Sequence, residues 1–157
     1  MELRVCLFIG IPASGKSSWA QKLLRENPKK FSYLSSDEIR ESVFGDVANM
    51  SHNALVFQIM KDRMITALEN ERSVILDATF VKASERQPFI QLAKELEAQV
   101  MAYYIKTDLG EALQRNENRK RRVPAEVIRQ RLKDVEEPAP AEGFDRIVTI
   151  DSKVGIN

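Results

Sequence analysis

A lone cysteine, Cys6, leaves the chain no intrachain disulfide, and its place inside the apolar run from Val5 to Ile9 marks it as a buried, inert thiol. That usage fits a reducing cytoplasm. No hydrophobic run approaches the length of a membrane span, and the apolar N-terminal stretch lacks the length and cleavage pattern of a signal peptide. The expectation is a soluble cytoplasmic protein with no membrane partner. An excess of one charge sign is missing too: 24 Lys and Arg stand against 23 Asp and Glu. No whole-protein field therefore announces a nucleic acid or an anionic membrane, and any basic surface has to be local. The one histidine, His52, reads as a surface or cap residue rather than a catalyst. Repeats, low-complexity segments and linkers are absent, so the 157 residues read as one domain.

What is present is an alternation of short apolar runs with helical patterns. Leu3 to Ile9 is a near-continuous apolar run ended by glycine, the pattern of a strand buried on both faces, and helix formers follow from Lys16 to Leu24. Phe31 to Leu34 is a second strand candidate, and Ser35 with Glu38 has capping-box spacing for a short helix. Phe57, Met60, Met64 and Leu68 recur at helical spacing, predicting a helix from about Asn53 to Asn70 with its methionines in the core. Ser73 to Leu76 reads as a strand ending at Asp77; Phe89, Leu92, Ala93 and Leu96 mark a helix; Val100 to Ile105 is another strand. A helix from Leu109 to Asn118 leads into a basic stretch, Pro124 suits the first turn of the next helix, and Pro138 and Pro140 stop it. With Arg146 to Ile150 there are five strands alternating with helices, which right-handed crossovers make an α/β fold with a mostly parallel sheet covered on both faces.

Between the first strand and the first helix lies Gly10-Ile11-Pro12-Ala13-Ser14-Gly15-Lys16-Ser17, a Gly-x-x-x-x-Gly-Lys-Ser motif. By chance it would occur in a chain this long with a frequency on the order of half a percent, and its strand-to-helix setting turns it into a mechanism. Backbone N–H groups of such a loop converge with a helix N-terminus on one anion site. The motif assigns Gly10, Ala13, Ser14, Gly15, Lys16, Ser17 and Ser18 to ATP binding, with Lys16 on the outer phosphates and the Ser17 hydroxyl on the Mg2+ that bridges them. A plain turn would need neither the second glycine nor the lysine beside it. A GTPase would add Asp-x-x-Gly after a later strand and Asn-Lys-x-Asp for guanine, and neither occurs.

Phosphoryl transfer also needs an acceptor hydroxyl, a group for its proton, and positive charge on the migrating phosphoryl. Asp37 and Arg40 are three apart on the short helix, offering a carboxylate as general base and a guanidinium for an acceptor phosphate. Asp77 closes a predicted central strand, where ligands of parallel sheets bind; it would hold magnesium through water or fix the acceptor, with Thr79 in support. Arg86 is set down as an ordinary exposed helical arginine. The strongest local charge bias runs from Arg115 to Lys133, and a basic lid over about 115–135 would bring Arg119 and Arg122 onto the phosphates.

These residues resemble the kinase domain of bacteriophage-type polynucleotide kinases and the wider group of small P-loop kinases. The resemblance rests on the 10–20 segment, Ser-Ser-Asp-Glu-Ile-Arg at 35–40, Asp-Ala-Thr at 77–79, Arg-Asn-Glu-Asn-Arg at 115–119 and Val-Pro at 123–124. It implies an adenylate-kinase-like P-loop fold, Asp37 as general base, Arg40 on the acceptor phosphate, and Arg119 as the lid arginine on the donor. The implied partners are ATP with Mg2+ and the 5′-hydroxyl end of RNA or DNA. No Asp-x-Asp-Gly-Thr phosphatase motif accompanies it. Relatives with this loop and lid also phosphorylate nucleosides, sugars and antibiotics, so a small-molecule hydroxyl is the alternative acceptor, and a regulatory ATP-binding module is a third reading.

Overall fold

The computed structural model describes residues 2–46 and 51–154. Strand β1 (Arg4–Ile9) leads through the phosphate loop to helix α1 (Lys16–Glu26); then come β2 (Phe31–Ser35), α2 (Ser36–Phe44) and α3 (Asn53–Glu69). They are followed by β3 (Ser73–Asp77), α4 (Ala83–Glu95), β4 (Gln99–Lys106), α5 (Leu109–Glu117), α6 (Ala125–Asp134) and β5 (Arg146–Asp151). The five strands form one sheet in the order β2-β3-β1-β4-β5, and every pairing in it is parallel. This is the α/β arrangement expected, with the mostly parallel sheet fully parallel.

The apolar pattern dictates the layers. On β1, Val5, Leu7 and Ile9 point to one face and Cys6 and Phe8 to the other, as strand pleating requires, and all five are buried. The first face meets Val56, Met60 and Met64 of α3 and Phe89 and Ile90 of α4. Cys6, Phe8, Ile75 and Met101 pack with Ala20, Trp19 and Leu23 of α1 on the second. Each such side chain contributes about 1.5–3 kcal/mol on burial, so the central strand is anchored from both sides. A third, smaller cluster of Ile11, Val81, Ala112 and Ile128 seats α5 and α6 beside the phosphate loop.

Register then places the site. Phe8 pairs with Asp77 and Ser35 with Asp77, so the carboxyl ends of β1, β3 and β2 lie level. The segments leaving them, the phosphate loop, residues 77–80 and the start of α2, open on the same edge.

One expectation shifts. Arg86 is not an exposed helical arginine: it is wholly buried, donating through Nε and Nη2 to Glu142 at 2.8 and 2.9 Å and through Nη1 to the Phe80 carbonyl at 2.7 Å. Residue-type exposure fails there because three acceptors replace the water that its guanidinium gives up. Arg115 lies on α5, as the 109–118 helix expected, and braces the phosphate loop, as shown below. His52 occupies the N-cap position of α3 and stacks on Phe44 with ring centroids 4.1 Å apart. No helix among the described residues is long and apolar enough to cross a membrane.

Candidate active site

The phosphate loop is built from backbone conformations that side chains resist. Ala13 and Gly15 have φ of 66° and 90°, which turns successive N–H groups toward one side in the manner of an anion nest. A Cβ at Gly15 would stand 2.3 Å from Arg115 Nη1, and one at Gly10 2.6 Å from Ser14 Oγ. Gly10 N–H donates to the Thr79 carbonyl at 3.0 Å, tying the loop to the end of β3. Arg115 Nη1 donates to the Ser14 carbonyl at 2.9 Å and its Nη2 to the Ser152 carbonyl at 2.6 Å, holding the loop from behind.

Helix α1 starts at Lys16 with no side-chain cap and no acid in its first turn, whereas α2 carries Asp37 and Glu38 there and accepts its cap from Ser35, whose Oγ receives Glu38 N–H at 3.3 Å. The free N-terminal dipole of α1 favours an anion. Ser14 Oγ, Arg40 Nε and Arg119 Nη1 are buried without a hydrogen-bond partner among the described residues. Leaving such groups unpaired costs free energy, and phosphate oxygens are acceptors that fit them.

Lys16 Nζ lies 2.7 Å from Asp77 Oδ1, and the Tyr33 hydroxyl donates to Oδ2. Burial pushes the Asp77 carboxyl up, but the Lys16 ammonium, with hydrogen bonds from Lys16, Tyr33 and Ser17, holds it below the ordinary carboxylate value. Burial, then the charge of Asp77, drives the Tyr33 phenol far upward, so it stays a donor. Ser17 and the ionised Asp77 are hard oxygen ligands that suit Mg2+.

Across a cavity of about 360 Å³ lined by Ser17, Tyr33, Asp37, Glu38, Arg119 and Arg121 lies the start of α2. Asp37 accepts from Arg40 Nη1 at 3.0 Å and from Arg121 Nη2 at 2.9 Å. Arg40, buried, also donates to Asn53 Oδ1, and burial lowers its pKa against the opposing pull of Asp37. Burial, followed by repulsion from Arg121, likewise lowers Arg119.

The expected residues thus fall into groups. Gly10, Ala13, Ser14, Gly15, Lys16, Ser17 and Ser18 lie in the loop and the first turn of α1; Asp37 and Arg119 line the cavity, and Arg40 lies beneath it, joined to it through Asp37. Asp77 sits behind it, reached through Tyr33 and Lys16. Thr79 is turned elsewhere, its Oγ1 accepting from Arg131 at 2.7 Å. Arg122 is exposed on the α5–α6 loop and does not line the cavity. Sequence reasoning missed Tyr33 and Asn53, and placed Arg115, Arg121 and Arg131 in the basic stretch without the contacts they make. Alternation along β2 puts Tyr33 on the same face as Ser35, two residues on, which is the one signal that pointed to it.

A phosphate loop at the carboxyl edge of this parallel sheet, with a lysine and a strand-end aspartate facing each other beside it, has the geometry of a site for a nucleotide's phosphates. The chain belongs to the AAA domain family, which matches residues 5–138. It is 29% identical over 150 residues to the L-seryl-tRNA(Sec) kinase of Methanococcus maripaludis, covering 93% of this chain and 58% of that protein. The chain therefore spans little more than half of that curated relative. In fold it resembles a chain of the Pnkp1/Rnl/Hen1 RNA repair complex, with a TM-score of 0.74 and 20% identity over 85% of this chain and 44% of the other. It also resembles Chaetomium thermophilum Kti12 in complex with ADP-AlF3, with a TM-score of 0.75 and 19% identity over 94% of this chain and 88% of that one.

Proposed function

We propose that the protein transfers the γ-phosphate of ATP to a hydroxyl borne on a nucleic acid, foremost the 5′-hydroxyl end of RNA or DNA. The observation that carries this reading is the pairing of Asp37 with Arg40 across the cavity from the phosphate loop. It sets a carboxylate for a hydroxyl proton beside a buried guanidinium whose Nε has no partner. Similarity to a seryl-tRNA kinase and to an RNA repair component supports an RNA-borne acceptor.

In this reading the nest and the α1 N-terminus bind the donor phosphates, and Lys16 leaves Asp77 for them. Ser17, with Asp77 through water, would hold Mg2+, which would supply positive charge beside the donor phosphates. Asp37 takes the hydroxyl proton, Arg40 holds the acceptor phosphate, and Arg119 neutralises the migrating phosphoryl from a lid over about 115–135. The alternative acceptor is a small-molecule hydroxyl, for which the cavity is large enough.

The test is transfer of labelled γ-phosphate, with Mg2+, to 5′-hydroxyl RNA and DNA oligomers, seryl-tRNA, nucleosides and simple sugars. Label at an oligomer end or on seryl-tRNA supports the nucleic-acid reading and distinguishes its two forms. Label on a nucleoside or sugar alone overturns the acceptor, and transfer to water alone overturns the kinase in favour of a regulatory ATPase.

A further inference from the structure

We propose that Arg121 gates the acceptor side of the cleft. Paired with Asp37, it is drawn to incoming donor phosphates, and the carboxylate is thereby released to take the acceptor hydroxyl. The inference rests on the reading of Asp37 as the transfer base.

Both oxygens of Asp37 are engaged, but by contacts of different kinds. Arg40 is buried and lies three residues along the same helix, so its bond to Oδ1 is built into α2. Arg121 reaches Oδ2 from 84 residues away, and the two side chains are 44% and 49% exposed. Exposed pairs of this kind are weak and easily displaced, which suits a latch. While it holds, a guanidinium stands where the acceptor hydroxyl has to approach.

The loop carrying Arg121 is shaped to respond to the donor. Asn116 clamps its base, donating from Nδ2 to the Val123 carbonyl at 2.8 Å and accepting Val123 N–H on Oδ1 at 3.1 Å. One residue earlier on α5, Arg115 grips the phosphate loop itself. Residues 117–122 therefore form a short span pinned at both ends. Within it Arg119 faces the same cavity with a buried, unpartnered Nη1, and Arg121 repels it. A polyphosphate at the phosphate loop supplies acceptors to both guanidiniums and relieves that repulsion, so the nucleotide competes directly with Asp37 for Arg121. Nucleotide binds first and acceptor second.

Hydrogen–deuterium exchange of the 117–123 amides tests this without an acceptor. Arg121→Gln and Asp37→Asn should each raise exchange there about two- to fivefold, the factor associated with an exposed ion pair. The double variant should exceed neither single one. With a saturating non-hydrolysable ATP analogue and Mg2+, Asp37→Asn should no longer alter exchange in the loop. No change in Arg121→Gln, additive changes in the double variant, or an undiminished Asp37 effect with the analogue would each overturn the gate. Phosphotransfer by Asp37→Asn separates the two ideas. Retained transfer with coupled exchange removes the base but leaves the latch, whereas lost transfer with uncoupled exchange does the reverse.

Discussion

Lys16 and Asp77 neutralise each other at 2.7 Å, so donor phosphates that take up Lys16 would exchange one ion pair for another. Because Asp77 is held below the ordinary carboxylate value, its share of stability is present at neutral pH and is lost only as pH falls through that lowered value. Removing a single group that meets developing charge costs about 100- to 1,000-fold in rate. Lys16→Ala should therefore cut kcat/KM for transfer by at least about 100-fold, read by the labelled-phosphate assay, and unchanged transfer would remove the phosphate loop from the mechanism. For Asp37→Asn, loss of a general base should lower kcat by about 100- to 10,000-fold while ATP affinity, measured by titration, stays within about twofold. Cys6 makes an independent check on the core: burial pushes its thiol up to about 12, so a thiol reagent at pH 8 should label the native protein slowly and the urea-unfolded protein quickly.

Among the elements, α4 and the turn at Pro140–Glu142 are joined by one buried ion pair. Arg86 is fully buried and Glu142 partly so, and Glu142 Oε2 also accepts Ala139 N–H at 2.8 Å. Arg86→Met should destabilise by about 3–5 kcal/mol in urea unfolding, because it leaves the carboxylate buried without its cation. Pairing it with Glu142→Leu should recover much of that loss, since both charges are then gone. A loss under about 1 kcal/mol in the single variant would show that Glu142 reaches water freely. Helices α3 and α4 were legible from spacing, because each buries a stripe of the 3.6-residue period, and α1 from the helix formers that follow the phosphate loop. Arg86 was not, since nothing in its neighbourhood of sequence announces Glu142, 56 residues later.

Over the whole molecule the formal net charge is +1, so a nucleic acid would be held by a local cluster such as Arg119, Lys120 and Arg121 at the cavity. Acceptor affinity should then fall with salt as only a few phosphate contacts require, with a log–log slope of about −0.7 per contact for a single strand. A slope near zero in titrations between low and moderate salt would favour a small-molecule acceptor. The amino-acid sequence by itself determined the strand and helix order, the parallel α/β sheet and the phosphate loop, because period-2 and period-3.6 burial and the Gly-x-x-x-x-Gly-Lys-Ser motif are local in the chain. Only the tertiary structure decided that Tyr33 holds Asp77 from 44 residues away, that Arg115 braces Ser14 across 101, and that Arg121 rather than Arg122 meets Asp37. Those contacts follow from strand register and from where α5 and α6 pack on Ile11 and Val81, which set distances between side chains that no local pattern of residues encodes.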